Sequence, residues 1–558
     1  MRFRDRTLPI RTRREFMYMD VLNEILMKPQ WWIGLEDEAI VYEWQQEARR
    51  TLTERLASNE SETSKESDHN IDGHVTDEEF VNQVANYLVP ELCYIVDNML
   101  VQHKNGGTIV PTAIHGVFFS DTIVPSTTAS RLSKYAAFLE AEALKKNKWR
   151  EGTDGRILDL IHPSDYCLVF GRSLRRTNDT QLTGKENIPA SDWLGASGRC
   201  QWLPSVFEVE DDSVDIYSYI NNLNSRKHPE LQDTIKSVFE AMVPMFELAL
   251  GSLRLIDPET RIEASMDIND YQQRQWEWEF NEYVRHKFGV KDLKDPAMPK
   301  TIDERDFTEF RRQLGVQQRS PPFKIPGLPT SFEEPIDSGI YSLGLAGRGV
   351  QVIVKMANIH LTPENPVFNG GNWHLEGMDN EAIAAIGIYY YSTENITTSR
   401  LSFRNVCTSD QWLLPSFLRH KIFDEIFDVM KSNDSDQIAQ VAGHIEAVQS
   451  RCVVFPNHFH YKAGAFELED KTRAGHRKIM QQVDWLAEEL YEACGLKAKL
   501  PLEVVRHIAL FTGAVMTEKE ARVYSRQDLE DRKIVGQGRT KSNVNSIKGL
   551  NPLNVLRQ

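Results

Sequence analysis

The sequence predicts a mostly β core, a double-stranded β-helix jelly roll of the cupin kind, with extensive α-helical additions before and after it. Three observations lead there. From Ser338 onward short apolar runs recur between Gly, Pro, Asn and Asp, the pattern of many strands joined by turns. The first part of the chain instead repeats its apolar residues at helical spacing. Finally, His, Glu and Arg residues from separate runs stand where the mouth of such a barrel would gather them.

In chain order, Arg14 to Leu56 reads as helices broken at Lys28-Pro29-Gln30, because Phe16, Met19, Leu22 and Leu26 share one face. The acidic stretch 57–79 has almost no large apolar residue and reads as a disordered loop. Helical patterns resume over Phe80 to Gln102 and Ala129 to Asn147. Short β-rich runs follow at Tyr166 to Phe170, Trp202 to Val209 and Val214 to Ile220. Leu231 to Leu250 and the charged, aromatic Tyr271 to Leu314 read as helices. The strand-rich part comprises Ile340 to Leu345, Val350 to Leu361, Ile383 to Tyr391, Arg400 to Val406, Arg451 to Phe455 and Ala465 to Leu468, with helices expected at Leu413 to Met430 and Gln437 to Ala447. After Lys478 helix is expected through Arg526, then a polar tail. The organisation expected is a helical N-terminal region (1–160), strands extending the jelly roll plus a helical insertion (161–330), the jelly-roll core (331–490) and a helical C-terminal region (491–558).

Composition narrows the function classes. A hydrophobic content of 41% and eleven Trp fit a folded protein. A net charge of −16 with dispersed acids argues against nucleic acid as a partner, since phosphate binding needs clustered Lys and Arg. No run has the ~18 consecutive apolar residues of a membrane span. The Arg-rich start lacks an apolar secretory core, so a cytoplasmic protein is expected. Six widely spaced cysteines show neither zinc-site spacing nor a disulfide framework.

The chemistry is concentrated in Gly370-Gly371-Asn372-Trp373-His374-Leu375-Glu376-Gly377. Residues two apart on extended chain point to one side, so His374 and Glu376 can share a metal. A second histidine from another strand would complete the facial triad that holds Fe(II) and leaves three positions open. Val453 to His460 carries two candidates; His460 is favoured, because His458 lies nearer the expected turn. Arg477, entering an apolar strand, can grip a carboxylate by two parallel charge-assisted bonds, with Arg404 next in line and Tyr389, Tyr390 and Tyr391 able to hydrogen-bond the same acid. His476 reads as a supporting or core residue. His-x-Glu, then His, then Arg is the order required for iron with 2-oxoglutarate as cosubstrate. The parity of Tyr341, Leu343 and Leu345 suggests one apolar face turned into the barrel, with Leu343 and Leu345 walling a small substrate.

The blocks WLPSVFEV, VDIYSYINNLN, the long stretch from VQVIVKMANIHLTP through GGNWHLEGMDNEAIAAIGIYYYSTENIT, LSFR, VVFPN and FELEDKTRAGHRKI resemble a large fungal family long labelled a domain of unknown function. REFMYMDVLNEILMKPQWW and MTEKEARVYS resemble its ends. The resemblance implies an Fe(II)/2-oxoglutarate oxygenase of fungal secondary metabolism, most similar to the member of the tryptoquialanine pathway that closes an aziridine ring on valine. It implies His374 and Glu376 as iron ligands, Arg477 as the 2-oxoglutarate clamp, and a small amino acid and O2 as the partners. One departure stands out: many members read FPNxxQH, with histidine where Tyr461 stands here. The competing expectations are hydroxylation of another small molecule, a cupin-like hydrolase or isomerase without 2-oxoglutarate, and a catalytically degenerate jelly-roll binding protein.

Overall fold

The computed structural model describes residues 10–58, 75–104, 106–173, 197–254, 260–262, 268–289, 304–313, 326–335, 341–406, 427, 430–431, 438–486 and 518–546. It opens with helices α1 (Arg13–Leu26), α2 (Trp31–Gly34), α3 (Glu38–Ser58) and α4 (Asp77–Asn98). Thr12 caps α1 by accepting from the Glu15 N–H. Thr76 and Glu79 close a reciprocal capping box on α4, so the last residues of the stretch expected to be disordered, Asp77 to Glu79, are helical. Residues 59–74 lie outside the described residues.

Strands β1 (Val101–Gln102), β2 (Thr108–Pro111) and β3 (Phe118–Ser120) lead to α5 (Ser126–Lys145). Then come β4 (Ile157–Ile161), β5 (Leu168–Val169), β6 (Cys200–Gln201), β7 (Ser205–Val209), β8 (Val214–Ile216), α6 (Pro229–Gly251), α7 (Ile268–Phe288) and α8 (Glu304–Gln313). The rest of the core is β9 (Arg348–Leu361), β10 (Val367–Phe368), β11 (Ala385–Glu394), β12 (Arg400–Val406), β13 (Met430–Lys431), β14 (Ile438–Glu446), β15 (Cys452–Pro456), β16 (His460–Ala463), β17 (Phe466–Glu467) and β18 (Gly475–Leu486). A further helix spans Glu518–Ser546. No described helix is long and apolar enough to cross a membrane.

Two antiparallel sheets build the centre. The larger has ten strands, with the order β1-β2-β3-β15-β11-β18-β9-β7-β8 and β4 also on β9; the smaller runs β13-β14-β12-β16. Period two along β11 divides its side chains between two layers. Ile386, Ile388 and Tyr390 join Val453 and Phe455 in a core shared with Leu401, Phe403, Ile445 and Tyr461 of the smaller sheet. Phe403 meets Phe455 edge-on at 4.9 Å between ring centroids. On the other face, Tyr389, Tyr391, Val454 and Met480 pack under Val238, Phe239, Met242 and Phe246 of α6. Gly387 lets that helix approach: a Cβ there would lie 2.6 Å from the Phe246 ring.

Several expectations are corrected. Ile438 to Glu446 is a strand, not a helix, because its alternation pairs it with β12, Leu401 opposite Ile445. Leu413 to Met430, expected helical, lies mostly outside the described residues, and Met430 itself is in a strand. Chain after Lys478 continues as β18 to Leu486, held by twelve pairings with β9. Residues 341–345 form no strand. Leu343 N–H donates to the Glu247 carbonyl (2.9 Å) and Leu345 N–H to Glu247 Oε1 (2.7 Å). Both leucines pack in the α6 layer, on the far side of the large sheet from Tyr461, so neither walls the expected substrate pocket.

Candidate metal and carboxylate site

The site forms where the loop after β10 is stitched onto β16. Gly370 has φ +87°, and a Cβ on it would come within 2.9 Å of the Ala463 carbonyl, so glycine is required for this approach. Gly371 N–H donates to that same carbonyl at 2.9 Å. Further along, His374 N–H donates to the Tyr461 carbonyl (3.2 Å) and Tyr461 N–H to the His374 carbonyl (3.0 Å). Residues that exchange both bonds project to the same side, and the His374 and Tyr461 ring centroids are 4.4 Å apart. Asn457 fixes the next step: its Oδ1 accepts from Glu376 N–H at 3.1 Å, and its Nδ2 donates to the carbonyls of Glu376 (3.0 Å) and Ile383 (3.1 Å).

The Glu376 side chain is buried and fully engaged. Lys355 Nζ lies 3.0 Å from Oε1, Gln481 Nε2 donates to Oε2 at 2.8 Å, and the Tyr461 hydroxyl also donates to Oε2. Lys355 on β9 and Gln481 on β18 are register partners, so two adjacent strands deliver the pair. Burial alone would raise the Glu376 pKa; the Lys355 and His374 charges and the Tyr461 hydrogen bond outweigh it and hold the carboxyl well below the usual range. Burial and the neighbouring carboxylate push the Tyr461 phenol well up.

His374 Nδ1 contacts the Asn372 carbonyl at 2.8 Å, which fixes the tautomer and leaves the ring lone pair on Nε2. Crowding around the ring lowers its pKa; Glu376 and the Asn372 bond oppose this, and Lys355 and Arg150 add to it. The residue nonetheless keeps solvent-accessible surface.

The histidines of the β15–β16 turn do not join this cluster. Tyr461 faces Glu376, so strand parity turns His460 away, beside Arg404 of β12. His458 is buried with its ring 4.2 Å from that of Phe459. Among the described residues no group of three His, Cys, Asp or Glu is placed to hold a metal. The structure therefore unites His374 and Glu376 with Tyr461, not with His460.

Arg477 lies on the same face of β18 as Gln481, four residues away, or ~13 Å along the strand. It is 1% exposed. Nη1 donates to Ser399 Oγ at 2.9 Å, while Nε and Nη2 have no partner among the described residues. The guanidinium packs 4.2 Å from the Phe466 ring centroid and 5.7 Å from that of Tyr390, and burial lowers its pKa. Of the three tyrosines expected to assist, Tyr389 and Tyr391 point into the α6 layer and Tyr390 is on the Arg477 side. Arg404 sits over Trp373 at 5.1 Å, on the smaller sheet. His476 contacts Ser392 Oγ at 2.8 Å through Nε2.

Lys355, Gln481 and Asn457 had not been singled out from sequence. Lys355 carried a signal, as a charge interrupting the apolar run Val350 to Leu361; the two amides carried none.

Residues 82–483 match the profile of a family described as "Protein of unknown function (DUF4246)". No curated protein matches the chain. Among solved structures, the chain is similar to IDO from Bacillus thuringiensis (12% identity, 33% of this chain, 55% of that one, TM-score 0.15), and so spans about half of that protein. It is also similar to the Fe(II)/(alpha)ketoglutarate-dependent dioxygenase TqaL (10% identity, 63% of this chain, 91% of that one, TM-score 0.20). At those scores neither likeness bears on the arrangement of the site.

Proposed function

The chain belongs to the family described as a protein of unknown function (DUF4246), and we propose that it is an iron- and 2-oxoglutarate-dependent oxygenase acting on a small molecule. The observation that carries this reading is Arg477, a buried guanidinium whose Nε and Nη2 have no partner among the described residues. An uncompensated buried charge is costly, and a bidentate carboxylate is the partner its geometry fits. The fold reading that accompanies it is a double-stranded β-helix, supported by two antiparallel sheets sharing one core.

Of the three protein donors a ferrous ion needs here, two are present among the described residues: an imidazole Nε2 with its tautomer fixed, and a carboxylate that Lys355, Gln481 and Tyr461 hold in its place. His374 and Glu376 would hold it. Iron bound there supplies O2 activation coupled to conversion of 2-oxoglutarate into succinate and carbon dioxide, with oxidation of a substrate C–H bond. Arg477 anchors the far carboxylate, and Phe466 and Tyr390 shield that pair from water. Asn457 and Gln481 keep Glu376 from swinging away, and Lys355 neutralises it between turnovers. The finer reading, oxidation of valine with C–N closure to an aziridine, rests on the family resemblance alone.

The test is succinate formation by purified protein with Fe(II), 2-oxoglutarate and O2, with and without valine. A valine product two hydrogens lighter supports ring closure; gain of one oxygen means hydroxylation. A second reading, a catalytically degenerate binding protein, is favoured by the saturation of Glu376 with Lys355, Tyr461 and Gln481. It requires carboxylate binding without succinate.

A further inference from the structure

We propose that the C-terminal helix, Glu518–Ser546, is a latch on the candidate site: docked, it locks the loop that follows Glu376 and the indole that packs on Lys355, and released, it frees both. The latch stands on contacts alone; only its bearing on turnover rests on the oxygenase reading above.

The helix docks through charge. Ala521, Tyr524, Ser525, Asp528, Asp531 and Arg532 recur at helical spacing and are at least partly buried, which makes them its inward face. Ala521 and Tyr524 are the apolar members of that face, while Val523 and Leu529 point outward, 49% and 38% exposed. Arg172 pairs with Glu520 at 2.7 Å. Asp531 Oδ2 accepts from Ser197 Oγ (2.6 Å) and Arg199 Nε (3.0 Å). Buried ionic contacts specify one geometry while adding little net stability, because desolvation offsets their attraction. A helix held mainly in this way has a defined seat and a low cost of leaving it.

Arg532 connects that seat to the site. Its Nη1 and Nη2 donate to the two oxygens of buried Glu381 (2.9 and 2.5 Å), and its Nε donates to Asp528 Oδ2 at 2.9 Å. Glu381 closes the turn between Glu376 and β11, where it also accepts from the N–H groups of Met378 (2.6 Å) and Trp202 (2.7 Å). Burial would raise its pKa; Arg532 and those two N–H groups outweigh this and keep it ionised. The next residue, Ala382, has φ +47°, a left-handed conformation that a residue other than glycine keeps only where its surroundings impose it. A second route runs through Trp202. The Arg532 guanidinium lies 3.6 Å from the centre of that ring, Asp528 accepts from its Nε1 at 3.2 Å, and Lys355 Nζ lies 5.5 Å from the same ring. Lys355 is the partner of Glu376 Oε1. One arginine thus reaches the carboxylate's loop through Glu381 and the carboxylate's lysine through Trp202.

The first test needs no variant: hydrogen exchange of the full chain in sub-denaturing urea, read peptide by peptide by mass spectrometry. The C-terminal helix and the amides of Met378 and Trp202 should open together, with one free energy and one urea slope, below the opening of β11 and β18. If those two amides stay protected while the helix exchanges, the latch is overturned. Arg532→Met keeps a stem over Trp202 but strands the Glu381 carboxylate, so it should speed exchange of the helix and both amides by roughly two decades or more. Faster exchange across β11 and β18 as well would overturn the latch, because Arg532 would then support the whole fold. In succinate formation with Fe(II), 2-oxoglutarate and O2, the variant should lose roughly tenfold or more in kcat through misplacement of Glu376. The KM for 2-oxoglutarate should hold, since Arg477 contacts Ser399, Phe466 and Tyr390 and no part of the latch. An unchanged kcat with faster exchange overturns control of the site. Wild type that forms no succinate overturns the oxygenase reading alone, and the exchange result still decides the latch.

Discussion

Replacing Arg477 by methionine should move stability and ligand binding in opposite directions. The guanidinium is buried, with one hydrogen bond to Ser399 Oγ and two nitrogen positions without partners among the described residues. Losing a charged hydrogen bond costs about 1.5–3 kcal/mol, and the Phe466 stacking about 1–2 kcal/mol more. Against this, removing an ion from the interior recovers a desolvation penalty of several kcal/mol. The terms nearly cancel or favour the variant, so the ligand-free protein should melt at or above the wild-type temperature. Methionine fills similar volume between Phe466 and Tyr390.

Binding behaves otherwise. Once a carboxylate occupies the free edge, removing its partner strands a buried anion, which costs about 3–5 kcal/mol. At ~1.4 kcal/mol per decade, 2-oxoglutarate affinity should fall by roughly two to three and a half orders of magnitude. Calorimetric titration of 2-oxoglutarate gives the Kd, and thermal melts with and without the acid give the stability. An affinity within threefold of wild type would refute the clamp. A large loss of stability in the ligand-free variant would show instead that Arg477 is structural.

Other outcomes follow from single contacts. Gly387→Ala should destabilise the fold by about 1–3 kcal/mol, read by denaturant titration, because its methyl group would be driven into Phe246 and Met242 of α6. Asn457→Ala strands the Glu376 amide and carbonyl inside the protein, at about 1–3 kcal/mol for each group left unpaired, and iron content should fall with it. His162 has its pKa lowered by burial to about 4, although Asp159 opposes the shift. A histidine held neutral in the fold but protonated when unfolded contributes stability in full above the unfolded value near 6.5, and that contribution is lost as pH falls from there toward 4. His162→Asn keeps an acceptor for the Ser164 N–H, and the slope of melting temperature against pH should flatten across that window. Glu140 is pushed the same way to about 2: burial opposes the shift, and hydrogen bonds from His360 and Lys478 outweigh it. Its contribution is complete above the ordinary carboxylate range and is lost as pH falls toward 2, a loss that Glu140→Gln should remove from acid titrations.

What was legible in the sequence is what periodicity encodes. The helical spacing at the start of the chain became α1, α3 and α4, and the apolar runs became β9, β11, β12 and β15 with ends within three residues of those expected. Gln437 to Ala447 misled because Ile438, Val441, Ala442 and Ile445 satisfy helical spacing as well as the alternation of a bulged strand; only the ladder with β12 decides between them. Leu343 and Leu345 misled differently. Their apolar parity was real, but no sequence pattern says which side of a sheet an apolar face meets, and α6 had the complementary surface. The tyrosines Tyr389, Tyr390 and Tyr391 show the same limit: alternation assigns Tyr390 to one layer and its neighbours to the other, without saying which layer holds the site.

The candidate site divides along the same line. His374 and Glu376 were visible because both belong to one short segment whose spacing fixes their common side. Arg477 was visible because a charge inside an apolar strand needs a reason. The third corner was not visible, since it depends on how two distant segments are aligned. The alignment is set by backbone contacts: Gly371 to Ala463, and His374 to Tyr461 in both directions. Shifting β16 by one residue would exchange Tyr461 for His460 and restore the expected histidine. The shift would also break that ladder, move Tyr461 out of contact with Glu376 and Gln481, and turn the half-buried His460 into the place of a buried, hydrogen-bonded phenol. The register is therefore held by the same contacts that put a tyrosine beside the carboxylate, which is why composition and spacing alone favoured the other residue.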